Sequence, residues 1–325
     1  MGKVDTATKA YMRKNNIFAD AFNYLIYDGK PVVNPEQLRE LDTTEIALPF
    51  GPQENGQSND LVQKYRDILK SAVVMQEDEA AYILLGIENQ TDIHYAMPVR
   101  NMIYDALQYG KQVADTAANH RKSDKSFRKR TSEEYLSGFY KEDVLKPVVT
   151  LVIHFGADEW DAPLSLHEMM GTQNEKLMHY VQDYQIHLID PAKLTEEDLK
   201  KFTSSLREVI EYIKYSKDKE KLSRILKDNS RMLIDREAAL VIKTITNTAI
   251  EISEKEEKID MCKAIDDMLS EREVKGEIRG IEIGEFRMLV KQVKKGRLTI
   301  EEAAEDAAMS VEEFRNVTDD MLKEG

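Results

Sequence analysis

The stretch YRDILKSAVVMQEDEAAYILLGIENQ, residues 65 to 90, most constrains what this chain can fold into. An apolar, β-branched run follows Asp67, breaks at the acidic cluster Gln76 to Glu79, and returns as a second apolar run from Ala81 to Ile87. Two such runs joined by a short polar segment predict an antiparallel hairpin. A turn centred between Glu77 and Asp78 makes paired positions sum to 155, which sets Asp67 opposite Glu88. Like charges directly opposed across an antiparallel pair are destabilising. A divalent cation between the two carboxylates would remove that conflict. Gln90 is two residues past Glu88, so strand geometry points it to the same face.

An Asp, a spacer of about twenty residues, and then Glu-x-Lys or Glu-x-Gln resembles the active-site hairpin of the PD-(D/E)XK nuclease superfamily. The longer words YRDILK, GIENQTDIHYAMPVRNMIYDALQYGKQV and EWDAPLSL resemble the Rpn family of recombination-promoting nucleases, bacterial proteins also described as PD-(D/E)XK family transposases. The matching words span roughly residues 15 to 190. Arg66 stands where the motif has proline, and Gln90 where many relatives have lysine. A glutamine cannot bring positive charge to a transition state.

The resemblance implies an α/β fold, a PD-(D/E)XK-type mixed central sheet flanked by helices, with an all-α C-terminal extension. It implies a metal-dependent DNA endonuclease. Asp67, Glu88 and the backbone carbonyl of Asn89 would hold Mg²⁺ or Mn²⁺ through hard oxygens. Gln90 would orient water or phosphate, and Arg100 with Tyr104 would face the developing charge. Asp20, in a segment resembling the family's first core helix, is a candidate accessory acid; otherwise it is a solvent-facing helix residue. Nothing in the residues points to strand transfer.

The flanking chain divides by pattern. Residues 5 to 27 carry an apolar stripe of helical spacing (Ile17, Phe18, Ala21, Phe22, Leu25, Ile26) and predict one helix, ended by a turn at 28 to 30. Residues 31 to 60, rich in Pro and Gly, predict loop with one helical turn at EQLRELD. MPVRNMIYDALQYGKQVAD predicts a helix opened by Pro98, with Arg100, Tyr104 and Gln108 on one face. Alternatively, Arg100 pairs structurally with an acid and Tyr104 edges the core. PVVTLVIHFG and YQIHLID predict strands, and Trp160, Leu164 and Leu166 anchor the loop between them.

From Lys193 to Glu273 the chain reads as charged amphipathic helices without proline. The three glycines of KGEIRGIEIGEF, 275 to 286, predict a linker or hinge. The tail carries a helix over about Phe286 to Lys295, then two capping boxes, Thr299 with Glu302 and Ser310 with Glu313. Its spacing is that of a helix-turn-helix, but VEEFRNVTDDM is acidic where a base reader needs basic or amide side chains. A protein-contact unit fits better. The expected parts are a nuclease-like domain over 1–192, a charged helical region over 193–280 and a small helical tail over 281–325, with homo-oligomer contacts through the C-terminal helices.

The formal net charge of −14 argues against a strong non-specific DNA binder. Within residues 111 to 130, however, seven Lys or Arg face two acids. HRKSDKSFRKR predicts a mobile basic loop, and Arg121, Lys122, Lys125, Arg128, Lys129 and Arg130 are candidate contacts to a DNA backbone. The other reading is a solvated loop that offsets acidic neighbours. One cysteine, Cys262, excludes an intramolecular disulfide and fits a reducing cytoplasm. No run approaches a membrane span or a signal-peptide apolar region, so no membrane partner is expected. No histidine pair has HExxH spacing, and no P-loop or Rossmann glycine pattern occurs. The competing function is a binding or assembly protein on a nuclease fold, with little or no cleavage.

Overall fold

The computed structural model describes residues 3–41, 44–47, 62–65, 67–76, 79–123, 132–172, 174–227 and 229–323. The chain opens with helices α1 (Lys3–Met12) and α2 (Asn15–Tyr27). Short strands β1 (Arg39–Glu40), β2 (Thr44–Ala47) and β3 (Val62–Tyr65) precede the hairpin β4 (Ile68–Gln76) and β5 (Glu79–Gln90). Helices α3 (Met97–Ser123) and α4 (Ser132–Ser137) lead to β6 (Val148–His154), then α5 (Glu175–Met178) and β7 (His187–Ile189). Helices α6 (Glu196–Lys200), α7 (Leu206–Tyr215) and α8 (Lys219–Leu226) follow, then β8 (Leu233–Asp235), α9 (Arg236–Thr246) and β9 (Lys258–Asp260). The chain closes with α10 (Met261–Lys294), α11 (Ile300–Asp306) and α12 (Val311–Lys323).

The central sheet has the order β1-β4-β5-β6-β7. Strands β1, β4 and β5 are antiparallel neighbours, whereas β5, β6 and β7 run parallel. The hairpin register is the expected one: Ile68 pairs with Ile87 and Gln76 with Glu79, every pair summing to 155. The turn residues Glu77 and Asp78 lie outside the described residues. Alternation assigns the faces. Leu69, Leu84 and Val148 pack with Tyr109 of α3 on one face, and Val152 packs there with Met97, Trp160 and Ile186. The opposite face carries Lys70, whose ammonium lies 4.9 Å from the Phe18 ring centre of α2. Helices α7 and α9 pack in turn on α2 and α1.

Residues 5 to 27 do not form one helix. Buried Lys70 donates to the Arg13 carbonyl at 2.5 Å and to Asn15 Oδ1 at 2.6 Å, while Lys14 takes an extended conformation. A lysine buried in a sheet must find oxygens, and it finds them by opening the helix between α1 and α2. The predicted loop over 31 to 60 also holds structure. Residues Pro35–Gln37 form a 3₁₀ turn capped by Asn34, β1 pairs with β4, and β2 pairs with β3. The segment GPQENGQSND lies outside the described residues.

The helical region after Lys193 contains an unexpected two-stranded pairing, β8 with β9. By compactness the chain divides into Met1–Met261 and Cys262–Gly325. Within the second unit the expected hinge is helix: α10 runs unbroken through residues 275 to 286. Each internal glycine costs about 1 kcal/mol against alanine. With no proline in the run, a helix of 34 residues propagates through them. Both capping boxes form, with Glu302 N–H donating to Thr299 Oγ1 at 3.1 Å and Glu313 N–H to Ser310 Oγ at 3.2 Å. Val290, Ala303, Ala304 and Phe314 make the core of this unit.

Candidate functional site

Asp67 and Glu88 meet where the hairpin ladder ends. Asp67 is the position just before β4, and Glu88 lies in β5 between Asp67 and Val152 of β6. Glu88 is fully buried and Asp67 9% exposed. The Asp67 N–H donates to Glu88 Oε1 at 3.2 Å. The Asn89 N–H donates to Asp67 Oδ2 at 2.8 Å. Each carboxylate is therefore fastened by one oxygen to the other's strand.

The outer oxygens face cations. Arg100 Nη2 lies 2.9 Å from Glu88 Oε2, and Lys9 Nζ lies 2.9 Å from Asp67 Oδ1. Arg100 is on the first turns of α3, and its Nε donates to the buried Tyr104 hydroxyl at 3.3 Å. Burial works against the charge of Arg100, yet Glu88 and Tyr104 hold the guanidinium above its ordinary pKa. Burial likewise opposes the Lys9 charge, and Asp67, with Asp5, outweighs it, so the ammonium too is held above its ordinary value. The like-charge conflict of the hairpin is thus met within the chain, by one cation from α1 and one from α3.

Lys9 was not among the residues the sequence singled out. Its only local mark is the Asp5–Lys9 spacing of four, an ordinary helix-surface pair, seen here at 3.1 Å. The tertiary contact to Asp67 had no signal in the sequence.

Gln90 is partly buried, on the same face as Glu88 and beside His154 in the β5–β6 ladder. His154 is buried, its Nε2 3.2 Å from the Asp158 carbonyl and its ring edge-on to Trp160 at 5.5 Å. A Cβ on Gly156 would lie 2.5 Å from that ring, so only glycine fits there. The Asn89 side chain points to the other face and is buried; neither end of its amide finds a hydrogen bond among the described residues. Past Gln90, Thr91 and Asp92 join Phe155, Gly156 and Lys217 in lining a groove of about 490 Å³.

Asp20 is not brought to this pair. It is buried, and its carboxylate accepts from the N–H and hydroxyl groups of both Thr203 and Ser204, at 2.6 to 3.1 Å. It fastens α2 to the start of α7. Arg121 and Lys122 are also remote. They are exposed on the last turn of α3, not in a loop, because the helix runs on to Ser123. At 1.5 Å per residue they lie roughly 30 Å along the helix from Arg100. Lys125, Arg128, Lys129 and Arg130 fall outside the described residues.

The pair supplies hard oxygen donors, which suit a small divalent cation that keeps several waters. Among the described residues no third acid, histidine or cysteine joins it to form a larger metal cluster. Residues 57–239 match the family described as "Putative transposase, YhgA-like". The chain belongs to this family. It is the Rpn, PD-(D/E)XK transposase-like family, and the match contains the whole carboxylate site except Lys9 and Asp5. No curated protein and no solved structure matches the chain. At the coarse level, membership makes this a nuclease-type protein related to mobile elements. No helix among the described residues is long and apolar enough to cross a membrane.

Proposed function

We propose that this YhgA-like family member is a Mg²⁺- or Mn²⁺-dependent DNA endonuclease of PD-(D/E)XK type. The observation that carries the reading is the mutual fastening of Asp67 and Glu88, two nearly buried carboxylates fixed side by side where the hairpin ladder ends. Asp67, Glu88 and the Asn89 carbonyl would hold the ion. When bound, such an ion would supply a water of lowered pKa and polarise the scissile phosphate. Arg100 stabilises charge that develops on the phosphate, from a position fixed by Tyr104 and Glu88. Gln90 offers an amide on the same face, able to orient water by donating or accepting.

A duplex that touches both the carboxylates and Arg121 with Lys122 would lie along α3. The roughly 30 Å between them corresponds to about nine base pairs at 3.4 Å each. That path gives the basic end of α3 a positioning role and leaves the chemistry to the hairpin.

The test is plasmid nicking by wild type, Asp67→Asn and Glu88→Gln, with Mg²⁺, Mn²⁺ and Ca²⁺ compared. The expected result is nicking with Mg²⁺ or Mn²⁺ that both variants lose while their circular dichroism is unchanged. Equal nicking by all three proteins, or none by wild type at high concentration, overturns the reading. The second outcome favours a DNA-binding or assembly protein on this fold, a reading supported by the two protein cations already paired to the carboxylates.

A further inference from the structure

We infer that Lys9 is an exchangeable counter-ion of the carboxylate site. It holds Asp67 in the metal-free protein, yields that oxygen to a divalent cation, and then donates to the phosphodiester. This rests on the nuclease reading above.

Three observations carry it. Lys9 Nζ lies 2.9 Å from Asp67 Oδ1, the oxygen left over after Asn89 N–H has taken Oδ2. A cation on that oxygen and a metal ion bound by the same carboxylate repel each other, so the two compete. Secondly, Lys9 is tethered from behind. Asp5, one turn earlier on α1, holds the same ammonium at 3.1 Å. When Lys9 gives up Asp67 it therefore stays at the site. Thirdly, an ammonium has three donors. Among the described residues Asp67 and Asp5 account for two directions, and the Lys9 side chain is 20% exposed, so a donor is left for a ligand arriving from solvent.

Arg100 is held differently. Its partner Glu88 is fully buried, and its guanidinium is braced by Tyr104. It is the fixed cation of the pair, and Lys9 the movable one. The site thus gains from α1 a mobile positive charge that Gln90 does not supply.

The test uses the full-length protein and the variants Lys9→Met, Lys9→Arg and Asp5→Asn. Melting temperature is titrated with Mg²⁺ without DNA, and plasmid nicking is measured at saturating Mg²⁺. Lys9→Met is expected to melt lower without metal, to show a larger Mg²⁺-induced rise with a lower half-saturating concentration, and to nick slower by ~10²-fold or more, the scale of losing one transition-state donor. Lys9→Arg should recover part of the nicking, and Asp5→Asn should nick more slowly with the metal response near that of wild type.

A Lys9→Met protein with the wild-type metal response overturns the exchange. One that nicks at the wild-type rate overturns the donation to phosphate and leaves Lys9 a structural counter-ion. A wild type that binds Mg²⁺ but never nicks overturns the nuclease reading and the donation with it, while the melting titration still decides the exchange. A wild type with neither response overturns both the reading and the inference.

Discussion

The backbone N–H of Asp67 donates to Glu88 Oε1 at 3.2 Å across the end of the hairpin. That bond ties Glu88 to the position directly opposite it, where the antiparallel register sets two like charges face to face. The arrangement holds because Arg100 and Lys9 each pair with the second oxygen of one carboxylate. The same geometry gives the site its chemistry and makes its parts energetically unequal.

Removing Glu88 should destabilise the protein as well as inactivate it. Glu88→Ala leaves the largely buried Arg100 without its carboxylate, a loss of about 3–5 kcal/mol for breaking a buried pair. Adding Arg100→Leu should recover part of that loss, since an apolar replacement of both partners costs less than one orphan. Urea unfolding of the two single variants and the double variant checks this. A double variant as unstable as the sum of the singles would refute the coupling.

Asp20 should prove structural. Its carboxylate takes hydrogen bonds from Thr203 and Ser204, far along the sequence. Asp20→Ala is expected to lose roughly 3 kcal/mol, from several bonds to a charged acceptor worth ~1.5–3 kcal/mol each and only partly additive. The folded fraction should nick DNA like wild type. Full stability with lost nicking would instead restore an accessory catalytic role.

The acid limb of stability should feel Asp198. Side-chain and backbone hydrogen bonds from Thr195, with Lys201 nearby, hold its carboxyl at about 2, below the ordinary 3.8. A carboxyl depressed on folding contributes stability that is complete above its unfolded pKa and fades as pH falls through the folded one. Its share is therefore present above about pH 4 and lost toward pH 2. Asp198→Asn should flatten the fall in melting temperature across that window and change nothing in its slope at neutral pH. An unchanged acid slope would count against the Thr195–Asp198 hydrogen bonds at the start of α6 as its source.

The C-terminal unit should fail locally. Phe314 is fully buried among Val290, Ala303 and Ala304. Phe314→Ala costs about 3–5 kcal/mol through the cavity it leaves, enough to unfold a small helical unit. Hydrogen exchange should show lost protection in α11 and α12, with the sheet strands still protected. Loss of protection in β5 and β6 as well would mean that the two units fold as one.

The hairpin was legible because its determinants are local. A period of two, a turn cluster and two acids at positions that sum to 155 leave one register that buries the apolar face, and the structure has it. The tail's capping boxes were legible for the same reason: each is a four-residue pattern whose partners are adjacent on one helix end. Helix propensity misled where a distant group intervened. Lys70 opened the first helix by taking a carbonyl 57 residues away in sequence, and cooperativity carried α10 through the glycines of the expected hinge. At the site, the sequence alone determined which two carboxylates face each other, because strand pairing is a one-dimensional rule. Only the tertiary structure decided that Lys9 is their partner and Asp20 is not, because ion pairing depends on distance through space, which no spacing along the chain encodes.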